Sequence, residues 1–218
     1  MARTRAANYE DQRDAILAKA ISAFARDGYV SASMTELATA CEISKAGLYH
    51  YYPSKDAILF DALNRFTSRL VQTANAIDDP LQAAQQTPQT KLHRLISRFM
   101  AIYRGARDDQ IVLLNSVQFL SPKHRQIIVY QERQVVDAFA QALQACHPAK
   151  VNAQNRTALT MTLLSAINFS FAWLREDGAL THQQYADWVA KLWIDGLVAS
   201  RFEIAAPHPL TEVSHDTN

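Results

Sequence analysis

Between Ile43 and Lys55 the chain carries two lysines, three tyrosines, a histidine and two serines, and no acid. These are the groups that meet a nucleic acid. Lys45 and Lys55 bring charge for phosphate oxygens, Tyr49 brings a phenol, and His50 has ring nitrogens that reach a phosphate or a base edge. Ala46 and Gly47 lie among them and are small, which lets a backbone approach a major groove. Bond-making chemistry is not indicated. The sequence has no Gly-rich phosphate loop, no G-x-S-x-G and no H-E-x-x-H, and its seven histidines show no pair at ligand spacing. Hence no catalytic residue, metal ligand or cofactor is expected. Cys41 and Cys146 are the only cysteines, too few for a disulfide framework, and they suit a reducing, cytoplasmic setting.

The elements that must position these groups are legible from capping and periodicity. Ser33-Met34-Thr35-Glu36 matches a capping box and predicts a short helix to about Ala40. Ser44 can cap a second, to about Tyr51. Around Ala38, the apolar Leu37, Cys41, Ile43, Leu48 and Tyr51 have the spacing of two short helices crossing over a tight turn, helix-turn-helix geometry. Ser44, Lys45, Ala46, Gly47, Tyr49 and His50 are left on the outward side of the second.

Composition agrees with a helical protein. The 218 residues are 49% apolar and 20% charged with a net charge of +1, and only five are glycine, fewer than an all-β chain with many tight turns needs. Ile16, Leu17, Ala20, Ile21 and Phe24 predict a first helix closed at Gly28. Pro53-Ser54 starts a fourth helix, through Leu70. Asp78 to Thr90 reads as a loop. A fifth helix uses Leu92 to Tyr103 and a sixth Ile111 to Phe119. Ser121-Pro122 opens a seventh, through Leu143. Asn152 can cap an eighth, to about Arg175, and a capping box at Thr181 and Gln184 opens a ninth, through Leu197. Thr157 to Leu174 carries no charge but holds six Thr, Ser and Asn residues, so a buried bundle helix is favoured over a membrane span. The tail with Pro207 and Pro209 is expected to fray.

Thr35-Glu36-Leu37-Ala38, then Ile43-Ser44-Lys45-Ala46-Gly47-Leu48-Tyr49-His50-Tyr51-Tyr52, then Lys55 resembles the DNA-binding segment of TetR-type regulators. Phe24 to Tyr29 matches the end of that family's first helix. The resemblance implies an all-α fold of about nine helices: a three-helix helix-turn-helix domain at 1–53 and a helical ligand-binding and dimerisation domain at 54–218. It further implies a homodimeric repressor that grips a palindromic operator and responds to a small-molecule effector. It places Thr35, Tyr49 and Lys55 on phosphates, and Ser44, Lys45, Gly47 and His50 at or near bases, with Ala46 beside them. Glu42 stands where the family usually has glycine in a left-handed turn. Arg3 and Arg5 lie on an acid-free arm suited to a minor groove or phosphates.

Leu81 to Arg107 holds Lys91, Arg94, Arg98, Arg104 and Arg107 and no acid. Asn168 to Thr181 resembles a segment of TetR-type regulators of fatty acid, phenylacetate and steroid catabolism, several of which sense CoA thioesters. An acyl- or aryl-CoA thioester, phenylacetyl-CoA specifically, is therefore the expected effector. It would need an apolar cavity with arginines at its mouth. The candidate contacts are Arg94, Arg98, Tyr103, Asn115, Gln118, Phe119, Asn168, Trp173 and Arg175, with Phe99, Tyr130 and Phe169 as further cavity lining. Leu163, Leu164, Ile167, Phe171, Trp188, Trp193 and Leu197 of helices 8 and 9 are the expected dimer surface. Two other readings are an efflux regulator sensing a drug-like cation, which would want buried carboxylates and aromatics, and a helical adaptor without DNA binding.

Overall fold

In α1 (Ala2–Asp27) the stripe Ile16, Leu17, Ala20, Ile21 and Phe24 is buried, and the helix closes on Gly28, whose φ of 83° is left-handed. The computed structural model describes residues 2–78 and 87–199, with side chains over 9–77 and 87–199. Arg3 and Arg5 lie on the helical backbone of α1, their side chains outside the described residues, as are Pro207 and Pro209. All described elements are helices or turns: the fold is all-α.

α2 (Met34–Ala40) starts on a complete capping box: Ser33 Oγ accepts from Glu36 N at 3.2 Å, and Ser33 N donates to the Glu36 carboxylate at 2.8 Å. Glu42 takes φ 58° in the turn that follows. α3 (Lys45–Tyr51) starts at Ser44 and α4 (Lys55–Asn75) at Ser54, each serine accepting from the backbone three residues on. The fifth helix, α5 (Pro88–Tyr103), reaches further back than its apolar periodicity. Thr87 caps it and Pro88 fills its first turn, so the expected loop gives up its last residues to helix.

α6 (Arg107–Ser116) also begins early, with Asp108 and Asp109 in its first turn where the helix dipole favours acids, and ends in a 3-10 turn at Val117–Phe119. α7 (Pro122–Cys146) has its proline in the first turn, but Ser121 makes no side-chain cap; its N–H donates to Asp56 at 2.8 Å. α8 (Arg156–Asn168) is shorter than expected at both ends. Asn152 accepts from Gln154 N and Asn155 N in a turn before the helix instead of capping it. At the far end the winding tightens to 3-10 over Phe169–Ala172 and stops at Trp173. Three aromatics at alternate positions each lose rotamer freedom against the preceding turn, which disfavours continued α-helix. α9 (His182–Lys191) has the Thr181–Gln184 capping box and continues through a π turn, Leu192–Gly196, to Leu197–Ala199.

Two apolar cores share α4. Ile58, Leu59, Ala62 and Leu63 pack with α1, α2 and α3, while Phe66, Leu70 and Ala74 pack with α5, α7, α8 and α9. The first core also takes Val112 from α6 and Leu120 and Ile128 from around the start of α7. No helix among the described residues is long and apolar enough to cross a membrane.

Candidate nucleic-acid interface and effector cavity

Leu37, Ala38 and Leu48 are buried at the crossing of α2 and α3, so α3 turns its other side outward. Tyr49 is 46% exposed, and Thr35, Ser44, Lys45, Ala46 and His50 are exposed with it. Ser44 Oγ accepts from Gly47 N at 2.9 Å and keeps its own proton for an outside acceptor. Gly47 has a local reason as well as a groove-facing one, since a Cβ there would sit 3.1 Å from that oxygen. Tyr9 of α1 stacks on Tyr51 at 4.8 Å and meets His50 edge-on at 6.2 Å, which steadies the end of α3.

Behind α3, Tyr52 donates to Asp61 at 2.6 Å while Arg13 donates to both, at 3.3 Å to the phenol and 2.6 Å to the carboxylate. Burial and the accepting carboxylate push the Tyr52 phenol well above its usual range. Arg65 adds bonds to Asp61 and Asp14. This network fixes α1, α3 and α4 relative to one another. Only the type of its members is visible in sequence, because the partners lie up to 51 positions apart.

Lys55 does not face outward with the others. Its ammonium donates to the carbonyls of Tyr29, Val30 and Ala32 at 2.7, 3.2 and 2.7 Å and lies 4.3 Å over the Tyr29 ring. All three of its protons are thereby used. The loop after Gly28 gathers carbonyls that no helix satisfies, and the lysine closes them.

A cavity of about 510 Å³ lies between α4, α5, α6, α7 and α8. Phe66, Leu70, Leu113, Val135, Val136, Leu164, Phe169 and Phe171 give it apolar walls, and its polar groups are Thr67, Tyr103, Gln110, Gln131, Glu132, Ser165 and Asn168. Tyr103 donates to Asn168 Oδ1 at 2.8 Å. Burial pushes the Glu132 carboxyl above the usual carboxylate range. No basic side chain lines it.

The family model described as bacterial regulatory proteins, tetR family, matches residues 16–62, and the one described as tetracyclin repressor-like, C-terminal domain, matches residues 85–197, more than half of the chain. The chain belongs to the TetR family. These families are of transcriptional regulators, not enzymes. The HTH-type transcriptional regulator YuxN of Bacillus subtilis is 40% identical over 57 residues, 26% of this chain and 20% of its own length, so the match spans about a fifth of that relative. A TetR-family regulator from Bordetella parapertussis superposes with a TM-score of 0.78 at 29% identity over 88% of this chain and 98% of that one. AibR, solved in complex with isovaleryl coenzyme A and operator DNA, gives 0.71 at 25% identity over 83% and 97%.

Within this TetR fold, the residues expected to contact effector are not brought together. Tyr103 and Asn168 line the cavity, with Phe169; the others do not. Asn115 and Gln118 are exposed and bonded to backbone carbonyls of Ile111 and Asn115. Phe119 stacks on Tyr29 at 5.5 Å, Trp173 meets Tyr185 edge-on at 4.9 Å, and Phe99 is packed into the core. Tyr130 is exposed. Arg94 and Arg98 lie along α5, Arg98 reaching the Ala76 carbonyl at 3.4 Å, and Arg175 pairs with Asp177 at 2.8 Å. Arg104 pairs with Glu176, an acid from outside the basic stretch.

Of the seven residues expected at a dimer surface, most are turned inward. Leu163, Leu164, Ile167 and Leu197 are buried in their own subunit's core, Trp193 packs against it, and Phe171 lines the cavity. Trp188 alone of the seven is exposed, at 60%. Its exposed apolar neighbours along α9 are Leu192 and Val198, and Met161 is exposed on α8.

Proposed function

We propose that the chain is a transcriptional repressor that grips a palindromic operator as a homodimer and lets go when an effector fills the cavity. One observation carries this. α6 lines the cavity with Gln110, Leu113 and Leu114, yet its Val112 is buried in the core of the helix-turn-helix half, and Phe119 just beyond it stacks on Tyr29. A ligand that displaces α6 therefore acts on the recognition helices, together with α4, which runs through both cores. The effector needs only to favour a conformation in which the two α3 helices no longer fit successive major grooves, about 34 Å apart.

Residues 1–53 serve as the DNA-binding part and 54–218 as the effector and dimer part. Thr35 and Tyr49 hold phosphates; Ser44, Lys45 and His50 face base edges, with Ala46 and Gly47 allowing close approach. Lys55 shapes the turn that presents them. Copies pair through Trp188, Leu192 and Val198 of α9 with Met161 of α8, in a four-helix arrangement.

For the effector we take an acyl- or aryl-CoA thioester, with phenylacetyl-CoA the compound to try first. The likeness to AibR, solved with isovaleryl coenzyme A, and the apolar walls support it. The base-free lining requires the phosphates to stay outside the cavity, with only the acyl or aryl group inside. The same lining favours a second reading, a drug-like aromatic cation sensed by an efflux regulator. Titration of an operator complex with phenylacetyl-CoA, phenylacetate and ethidium separates them. Release by the thioester alone is the expected result; release by the free acid alone overturns the CoA assignment, and release by ethidium alone favours the second reading.

A further inference from the structure

The polar groups of the cavity are unevenly satisfied. Its hydroxyls all donate within the protein: Thr67 to Gln131 Oε1, Tyr103 to Asn168 at 2.8 Å, and Ser165 to the Met161 carbonyl at 2.7 Å. Gln131 is held by Asn64, Ser68 and Thr67. Two acceptors remain. Gln110 is only 6% exposed and its Oε1 has no hydrogen-bond partner. Its orientation is fixed, because Nε2 donates to the Asn168 carbonyl at 3.2 Å and the flipped amide would set two oxygens against each other. Glu132 makes no hydrogen bond or ion pair among the described residues, and no cation lines the cavity with it. An unmet buried acceptor is costly, and the half-buried Glu132 carboxylate is partly desolvated at the cavity wall with no protein donor to compensate.

We propose that Glu132 and Gln110 are the polar end of the effector site and recognise a hydrogen-bond donor, a hydroxyl or an ammonium, on an otherwise apolar molecule. This rests on the reading of the cavity as the effector site. It adds what that reading lacks, a chemical requirement on the part of the effector that enters. A plain acyl or aryl group meets the walls and leaves both acceptors bare. One bearing a hydroxyl or an amine satisfies them. The walls accept almost any apolar body, a phenylacetyl group included, so ranking among effectors falls to these two side chains, which favour the one that brings a donor over the matched analogue without it.

The test uses the full chain and matched probes: 4-propylphenol, its methyl ether 4-propylanisole, and 3-phenylpropylamine, each titrated calorimetrically. The phenol, the amine or both should bind about tenfold or more tightly than the ether, as for a hydrogen bond to a charged group. The preferred probe identifies the donor as neutral or cationic. Glu132→Leu should abolish the preference and Gln110→Leu reduce it, whereas Glu132→Gln should keep part of a phenol preference and lose an amine preference. Equal binding of all three probes, a preference that survives Glu132→Leu, or no binding of any probe at millimolar concentration overturns the proposal. Operator release is measured separately. A probe that binds with the expected preference but leaves the operator complex intact counts against the effector reading while the recognition site stands.

Discussion

The two lysines between Ile43 and Lys55 look alike in sequence and are employed differently in the fold. Lys45 is exposed on α3, whereas the Lys55 ammonium is enclosed by three carbonyls and burial lowers its affinity for a proton. Lys45→Ala should weaken operator binding by about 1–3 kcal/mol, relax discrimination at the base it faces and, because a cation leaves the interface, also lower the salt slope. Lys55→Met should leave that slope unchanged and cost about 1 kcal/mol in a urea titration, because it removes the donor from two half-buried carbonyls. Equal salt slopes for both variants would refute the distinction. Residue types were thus legible, but which ammonium faces out depended on the carbonyls gathered after Gly28. Glu132 is a second case. Its folded pKa lies above the unfolded one, so the native state binds its proton more tightly, and the penalty of its charge appears as pH rises through the folded value. Glu132→Gln should therefore raise the melting temperature at pH 7, and the gain should vanish in acid below the ordinary carboxylate range. A gain that persists there would show that the charge is not its cause.

Among the elements, four helix starts were legible because a cap is a local device of three or four residues: both capping boxes, Ser44 and Ser54 stand where the sequence put them, whereas Ser121 and Asn152 do not cap and two helices begin about a turn earlier than their apolar periodicity. The turn between α2 and α3 was also legible. Glu42 occupies the left-handed position at φ 58°, where a side chain costs about 1–2 kcal/mol. Glycine there loses part of that gain to its greater freedom in the unfolded chain, so Glu42→Gly should raise stability by about 0.5–1 kcal/mol, measured by thermal or urea unfolding. A loss of stability would mean that Glu42 makes a compensating contact. The outward face of α8 was not legible for a different reason. Leu159, Leu163, Leu164 and Ile167 point inward, and Met161 points out of the same uncharged run, so no polar stripe marks the boundary. α9 has such a stripe, but its π turn over Leu192–Gly196 shifts the phase so that Leu197 turns in and Val198 out.

At the scale of the molecule, the junction of the two cores was the least legible part, since its members come from separate stretches of chain. Asp56 at the start of α4 accepts from Ser121 N and from His124 Nδ1, at 2.8 and 2.6 Å, and His124 stacks on Phe60 with ring centres 3.9 Å apart. Tyr29, fixed by Lys55, stacks on Phe119. The first set ties α7 to α4 within one core. The second is the direct contact between the end of the α6 segment and the loop that precedes α2. If displacement of α6 is how the cavity communicates, removing this stack should uncouple two functions without destroying either. In Phe119→Ala, effector affinity of the free chain and operator affinity without effector should stay within a few-fold, since neither site contains the ring. The effector's ability to weaken operator binding should fall by about 0.5–1.5 kcal/mol, the worth of an aromatic pair, and by linkage the operator should weaken effector binding correspondingly less. Both halves of that reciprocity can be measured, by operator binding at saturating effector and by effector titration of the operator complex. Intact coupling in the variant would remove the stack from the mechanism and leave α4 and the buried Val112 of α6 to carry it.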